Sequence, residues 1–361
     1  MSEPASLQLF FSNLVATVGA YEYIFATIEL MINCFHIFIL SRPRMRISSM
    51  NSILLGIALA DIFFPLIAIK KKARVWIFGS DECTEPQSLL ETSLDWFLYT
   101  LRDDFRRCST WLGLMLAGVR TVAVRNVMNQ NYNHISQPAF GWKINFIVLG
   151  VSTFFSIFYY FRYEVVNNGT FWTPPATCAQ YPAGFRVPNF VLQEREFYKA
   201  ANGLFRTINL LVVGVLAKFL PCILFPTLTI ILTKELKKAV RAREEARKDG
   251  AVGKKKEVAT RFVIYMTVSF VIIEFPIGIC FCIEAASGIY SQGSAASSII
   301  QLLNMVYVVL TLSHFLICFS MSSQYRKTVK QIFSRGPSLQ NKAKSVISVV
   351  HNRKSQPSSS F

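Results

Sequence analysis

Five charged residues occupy a six-residue segment, 102–107, inside a long apolar stretch at 94–124. Their types and spacing make this segment the strongest candidate in the chain for chemistry or binding. They are Arg102, Asp103, Asp104, Arg106 and Arg107. Arg102 and Arg106 are four apart, so they share one face of a helix. Each such group costs roughly 2.5–3.5 kcal/mol in a membrane, so it must face a protein interior and find partners. Two interpretations stay open: convergent polar groups that bind a ligand, or an internal salt-bridge cluster.

A further acid, Glu274, lies two residues before Pro276 in a later apolar stretch. Proline removes a backbone donor and kinks a helix. A buried acid beside such a hinge predicts a switch or a ligand contact, and a paired structural acid is the alternative. The candidate ligand-pocket residues are therefore Arg102, Asp103, Asp104, Arg106 and Glu274.

Three polar residues sit in or at the end of other apolar stretches. Asn33 and Asp61 fall at similar depth, which predicts either a polar switch core or a single interhelical hydrogen bond. Arg120 lies near the end of stretch 94–124, where it is either an interfacial anchor or a contact for a signalling partner.

Composition and charge place the chain in a membrane. Of 361 residues, 52% are hydrophobic and 16% charged, which is too apolar for an ordinary soluble domain. The apolar stretches are 14–40, 51–69, 94–124, 142–161, 207–233, 258–284 and 297–321. The segments between them that we expect to be cytoplasmic are 41–50, 120–143, 234–261 and 324–361.

The net charge of +17 is concentrated on that expected cytoplasmic face. The face holds 25 of the 38 Lys and Arg residues and is +20, whereas the rest of the chain is −3. This asymmetry is the positive-inside bias of a membrane protein. A nucleic-acid partner is excluded, because no basic folded domain with a readout motif is present.

Topology favours seven spans, although hydropathy alone gives six because stretch 94–124 is charged. The sequon at Asn168 places 162–206 outside, where Asn168 is a candidate glycosylation site, and the basic segment 234–258 belongs inside. Cys83 and Cys178 lie on the same, outer side of the membrane only if the stretch 94–124 crosses it. This favours a crossing, and therefore seven spans. The N-terminus is expected outside and the C-terminus inside.

The predicted fold class is an all-α membrane protein, a seven-helix bundle with a short eighth amphipathic helix. Its expected parts are an extracellular N-terminus at 1–13, the bundle at 14–321, the amphipathic helix at 322–334 and a disordered cytoplasmic tail at 335–361. Residues Tyr325, Val329 and Phe333 repeat every four positions with cations between them, as in a helix lying on a membrane surface.

Catalysis finds no support in the sequence. The four His residues are scattered, and no metalloprotease, hydrolase or phosphate-loop motif occurs. We therefore predict no enzyme activity, no cofactor and no metal site.

The chain resembles the rhodopsin-like receptors, and among them the nematode serpentine receptors of class W, which are similar to FMRFamide-type peptide receptors. The general resemblance rests on Asn33, Leu59-Ala60-Asp61, Arg120, Pro221, Phe270 before Pro276, and Trp76-Ile-Phe78-Gly79 followed by Cys83. The class W resemblance rests on Met45-Arg-Ile-Ser-Ser-Met-Asn51, Arg107-Cys-Ser-Thr-Trp-Leu-Gly113, Lys218-Phe-Leu-Pro-Cys-Ile-Leu-Phe-Pro226, Ser269-Phe-Val-Ile-Ile-Glu-Phe-Pro-Ile-Gly278 and Met321-Ser-Ser-Gln-Tyr-Arg-Lys327.

The resemblance implies a G-protein-coupled receptor of the plasma membrane. Its partners would be a heterotrimeric G protein, membrane lipid and an extracellular small-molecule or peptide ligand; a cationic amidated peptide would meet Asp103, Asp104 and Glu274. The resemblance also implies a Cys83–Cys178 disulfide, with Cys108 as a rival partner of Cys178. The implied switch core is Asn33, Asp61, Phe270, Pro276 and His314, and the implied G-protein contact is Arg120.

Three positions depart from the superfamily's usual pattern. Gly118-Val119 stand where an acid precedes the span-three arginine, Glu274 replaces a tryptophan, and His314-Phe315 replaces an Asn-Pro pair. A transporter or channel remains the alternative function, and it would need a continuous polar path through several spans.

Overall fold

The computed structural model is almost entirely helical in the part of the chain that it describes, with one β-hairpin. The described residues are 5–126, 130–246, 267–268, 270–283, 285–286 and 295–334. The helices are α1 (Ala5–Leu40), α2 (Ser49–Phe63), α3 (Leu66–Phe78), α4 (Leu89–Arg125), α5 (Asn133–Ser136), α6 (Pro138–Tyr160), α7 (Glu196–Val212), α8 (Leu220–Ala246), α9 (Phe270–Ile283), α10 (Ala295–Met321) and α11 (Ser323–Phe333).

Two short elements complete the path of the chain. A π-helical segment, Val213–Phe219, joins α7 to α8 without a break. Between α6 and α7 the chain forms an antiparallel hairpin of β1 (Tyr163–Trp172) and β2 (Val187–Glu194), with an irregularity between Asn167 and Phe171.

Among the described residues, four helical segments are long and apolar enough to cross a membrane. They are Leu9–Leu40, Ser49–Phe78, Pro138–Tyr160 and Glu196–Lys238, and α9 and the middle of α10 are shorter apolar helices. This confirms a mostly helical, multi-pass chain. Helix α4 has 37 residues, enough to cross, but its charged residues lower its hydropathy. The seven-span count therefore stays a prediction.

Helix α4 lies at the centre of the described helices, in contact with α2, α6 and α8. It starts with a capping box: the Ser88 hydroxyl accepts from the Glu91 backbone N–H at 3.3 Å, and the Glu91 carboxylate accepts from the Ser88 N–H at 3.1 Å. Because α4 is surrounded, its charged side chains can face other helices. The outer surface of α6, by contrast, is apolar, with Phe146 67% exposed, as a lipid-facing surface requires.

Helices α2 and α6 pack closely through small residues. A Cβ atom on Gly141 of α6 would lie 2.4 Å from the backbone oxygen of Ser49 on α2. One helical turn farther on, Asn145 donates from Nδ2 to the backbone oxygen of Ser52 at 2.8 Å. Small residues allow helix backbones to approach in membranes, where no hydrophobic force drives helices together.

Helix α11 is held beneath α1 and α10. Its Tyr325 is fully buried, and a hydrogen bond of 2.8 Å joins the Tyr325 hydroxyl to Nδ1 of His36 on α1. Arg44, in the turn after α1, donates to the Gln331 side chain at 2.7 Å. Burial raises the pKa of the Tyr325 phenol, so it stays a neutral hydroxyl. This helix coincides with the amphipathic stretch at 322–334.

Gly141→Ala should lower the thermal unfolding midpoint of the purified protein by several degrees. The added methyl group meets backbone rather than a movable side chain, and such overpacking costs about 1–3 kcal/mol. The matched control is Gly150→Ala on the same helix, where a Cβ would meet nothing within 4 Å. Equal midpoints for the two variants would contradict the close α2–α6 contact.

Candidate functional site

Three buried charged side chains from different elements meet between α4, the π segment and α9. Arg106 of α4 donates to Oε1 of Glu274 on α9 from Nε at 2.9 Å and from Nη2 at 2.5 Å. Lys218 of the π segment forms an ion pair with the other carboxylate oxygen, Oε2, at 2.9 Å. Glu274 is fully buried, and Lys218 and Arg106 are 4% and 5% exposed. We call Arg106, Lys218 and Glu274 the charged triad.

Two residues of α10 complete the surroundings of Arg106. Its Nη1 donates to Oδ1 of Asn304, and its guanidinium lies 4.3 Å from the centroid of the Tyr307 ring. The aromatic face favours a cation, and the amide oxygen accepts a donor that Glu274 leaves free. The triad therefore joins four elements around one carboxylate and carries a surplus of one positive charge.

The π segment positions Lys218. A π-helical turn holds an extra residue and changes the direction of the side chains that follow, and such turns are frequent at functional sites. Helix α9 approaches this segment through glycine: a Cβ on Gly278 would lie 3.1 Å from Cβ of Lys218 and 3.2 Å from the Phe219 ring. A side chain at 278 would therefore be tight against Lys218 and Phe219.

The remaining charges of α4 point elsewhere. Arg107 faces α6, where it donates to the Ser152 and Ser156 hydroxyls at 3.2 and 2.6 Å, and it also pairs with Asp103 at 3.2 Å. Asp104 is buried on the same side and accepts from the Thr153 hydroxyl at 3.0 Å. This half of the charged stretch is an internal cluster between α4 and α6.

The structure thus divides the five candidate pocket residues. Arg106 and Glu274 are brought together in the triad. Asp103 neutralises Arg107, and Asp104 lies on the α6 side. Arg102 is half-buried, and among the described residues its guanidinium faces aromatic rings, with centroids 5.7 Å away at Phe64 and 5.1 Å away at Tyr99.

The candidate switch core is partly assembled around Asp61. The Ser109 hydroxyl of α4 donates to Asp61 at 2.7 Å. Asn33 is buried on α1, but its Nδ2 finds no acceptor among the described residues. One turn before Asn33, the fully buried Glu29 lies within electrostatic reach of Asp61 and accepts from the Thr311 hydroxyl at 2.5 Å.

The other switch candidates lie on α9 and α10. The ring of Phe270 packs on Phe225 of α8 with centroids 5.0 Å apart, and Phe225 in turn lies against Gly113 of α4. Pro276 lies within α9, two residues after the triad's glutamate. His314 is in α10, outside the residues whose side chains the structure describes.

Arg120 lies in the last two turns of α4, at the opposite end from the capping box. It is half-buried and within electrostatic reach of the Cys318 thiol on α10.

The disulfide at the other end of α4 is confirmed. Cys83 and Cys178 are bonded, with Cα atoms 5.5 Å apart, whereas Cys108 is a buried free thiol. Cys178 lies between β1 and β2, and the nearby Tyr181 hydroxyl donates to the Cys83 backbone oxygen at 2.9 Å. The sequon residue Asn168 is exposed in the irregular part of β1.

Beside the hairpin lies a cleft of about 430 Å³ between β2 and the start of α7. Its charged wall residues are Glu194, Lys199 and Arg206. Glu194 is already paired, with Arg162 at 2.7 Å and Arg206 at 3.4 Å, and Lys199 pairs with Glu196 at 2.8 Å. The Glu194–Arg206 pair joins the base of the hairpin to α7, and the Lys199–Glu196 pair lies within α7.

Sequence reasoning missed three residues of these clusters. Lys218 and Glu29 are ionisable residues inside apolar stretches, and that signal alone marks a residue that needs a buried partner. Asn304 carries a weaker signal, because a lone amide in a membrane helix is common. The β-hairpin at 163–194 was also missed, since the sequence there was treated only as an outer loop.

The sequence model of the family described as "Serpentine type 7TM GPCR chemoreceptor Srw" matches residues 20–336, well over half of the chain. The chain therefore belongs to the serpentine chemoreceptor family of class W, as the resemblance predicted. No curated protein matches the chain.

Lys218→Met should destabilise the purified protein less than Arg106→Met. Either substitution leaves one cation on Glu274, so neither strands a buried charge, which would cost about 3–5 kcal/mol. Arg106→Met additionally removes the Asn304 hydrogen bond and the contact with Tyr307. The thermal unfolding midpoints of the two variants are measured in detergent. A midpoint for Lys218→Met below that of Arg106→Met would contradict the assigned roles.

Proposed function

We propose that this family member is a ligand-activated receptor that couples to a heterotrimeric G protein. Its seven spans would be α1, α2 with α3, α4, α6, α7 with α8, α9, and α10. The N-terminus and the hairpin would be outside, the Arg120 end of α4 inside, and the membrane the plasma membrane. The family supports the receptor class, and the distribution of basic residues supports the orientation.

The ligand is a small peptide or another small molecule that enters between the outer halves of four spans: α4, α7 with the π segment, α9 and α10. The observation that carries this proposal is the charged triad, which links α4, the π segment and α9. A polar cluster inside an apolar bundle is what a ligand pocket requires.

Activation follows if the ligand binds one arrangement of these helices better than the other, since only differential affinity shifts the equilibrium. Couplings of about 1–3 kcal/mol are typical. Pro276 gives α9 a point at which no backbone N–H is available to the helix, so α9 can pivot there. Its inner end would then move away from Phe225 and Arg120 and open a cleft for the G protein.

Arg120→Ala should abolish ligand-evoked calcium and cyclic-AMP responses while surface expression is unchanged. The screen uses short peptides in both amidated and free-acid forms on cells that express the full chain. Arg125→Ala is the matched control, because Arg125 lies in the last turn of the same helix and is exposed. An unchanged dose–response curve for Arg120→Ala would refute the G-protein contact.

Asn168→Gln should remove one glycan from protein made in animal cells and increase its gel mobility to that of glycosidase-treated wild type. The sequon is exposed on β1, and Asn168 accepts from the Thr170 hydroxyl at 2.7 Å. The control Asn167→Gln keeps the sequon intact and should change nothing. An unglycosylated wild type would argue against a hairpin outside the cell.

A further inference from the structure

The charges around the triad favour an anion. Both cations are directed at one carboxylate, while Asp103 pairs with Arg107 and also lies within electrostatic reach of Lys218 and Arg106. Counting Arg102, Arg106, Arg107 and Lys218 against Asp103, Asp104 and Glu274 still leaves a surplus of one positive charge. A cationic ligand would add like charge to a site that already carries a positive surplus. An anionic ligand would be attracted strongly, because the surroundings are buried and screen little.

We propose that Arg106 and Lys218 bind the carboxylate of an extracellular ligand, at the place that the Glu274 carboxylate occupies in this structure. The inference rests on the proposed receptor function and adds the chemical class of its ligand: a carboxylic acid or a peptide with a free C-terminus, rather than an amidated cationic peptide. Glu274 acts as a tethered substitute for the ligand.

The geometry of the triad fits a two-oxygen anion. Glu274 presents Oε1 to the Arg106 fork and Oε2 to the Lys218 ammonium. A ligand carboxylate offers the same pair of oxygens, and an arginine fork recognises this planar shape. An amide offers one oxygen and two donors, so it would turn a donor toward a cation.

A second cation of α4 lies between Arg106 and the disulfide end of the helix. Arg102 lies one turn from Arg106 on the same face, and its guanidinium lies over the rings of Phe64 and Tyr99. The Lys71 ammonium also contacts Tyr99, at 4.7 Å from the ring centroid. Cations grouped in this way raise the local concentration of an anion.

Replacement of the Glu274 carboxylate by the ligand's carboxylate would change how α9 is held. Glu274 lies on α9, two residues before Pro276. When a ligand carboxylate takes over Arg106 and Lys218, the ion pairs that tie α9 to α4 and to the π segment are lost. The ligand therefore favours the arrangement in which α9 is free to pivot.

Anion rescue of Glu274→Ala tests the proposal on the purified full chain. This variant leaves Arg106 and Lys218 without a counterion and opens a space for a small carboxylate. Sodium acetate should raise its thermal midpoint by several degrees beyond sodium chloride at equal ionic strength, and neutral acetamide should not. Wild type should not respond, because the tethered Glu274 outcompetes free acetate.

The matched control is Glu29→Ala. It removes an equally buried carboxylate whose described partner is the Thr311 hydroxyl rather than a cation. Acetate that acts no better than chloride on Glu274→Ala, or that stabilises Glu29→Ala equally, overturns the proposal.

If Glu274→Ala yields too little folded protein to melt, the fraction of monodisperse protein extracted with and without acetate is measured for it and for Glu274→Gln. Recovery by acetate supports the proposal, and no recovery in either variant overturns it. Since neither readout needs a G protein, a failed Arg120 signalling test and a failed anion rescue are distinguishable.

Discussion

A carboxylate in the interior of a membrane bundle needs partners, and the two cations that Glu274 takes as partners link the central helices. Glu274 is met from two directions, by Arg106 at 2.5 Å and by Lys218 at 2.9 Å. Each cation then needs surroundings of its own, which Asn304 and Tyr307 of α10 supply to Arg106. The relative placement of α4, the π segment, α9 and α10 follows from the neutralisation of one acid.

The sequence predicted the charges but not how they pair. For the stretch from Arg102 to Arg107 the structure shows internal pairing, with one side of α4 facing α6 and the other side facing Glu274, and ligand binding stays a prediction. Helical periodicity places Arg106 and Arg107 on different faces but does not say which neighbour each face meets. That depends on how α4 is rotated within the bundle, which the packing of many side chains determines.

Local features explain the other successes and misses. The disulfide was implied by the resemblance to receptors that carry a cysteine in each of these two outer loops, and α11 lies where apolar residues repeat every four positions. Lys218 could not be placed, because a π-helical turn shifts the residues after it relative to an ordinary helix. The contact between His36 and Tyr325 joins residues 289 positions apart, and no local pattern reveals it.

The disulfide joins Cys83 to Cys178, 95 positions apart in the sequence, and so closes a covalent ring that contains α4 and α6 whole. Within that ring the capped end of α4 is tethered to the hairpin, whereas the end that carries Arg120 lies far from the bond. The bond therefore restrains the hairpin and the start of α4 relative to each other, whereas the position of the Arg120 end depends on noncovalent packing against neighbouring helices.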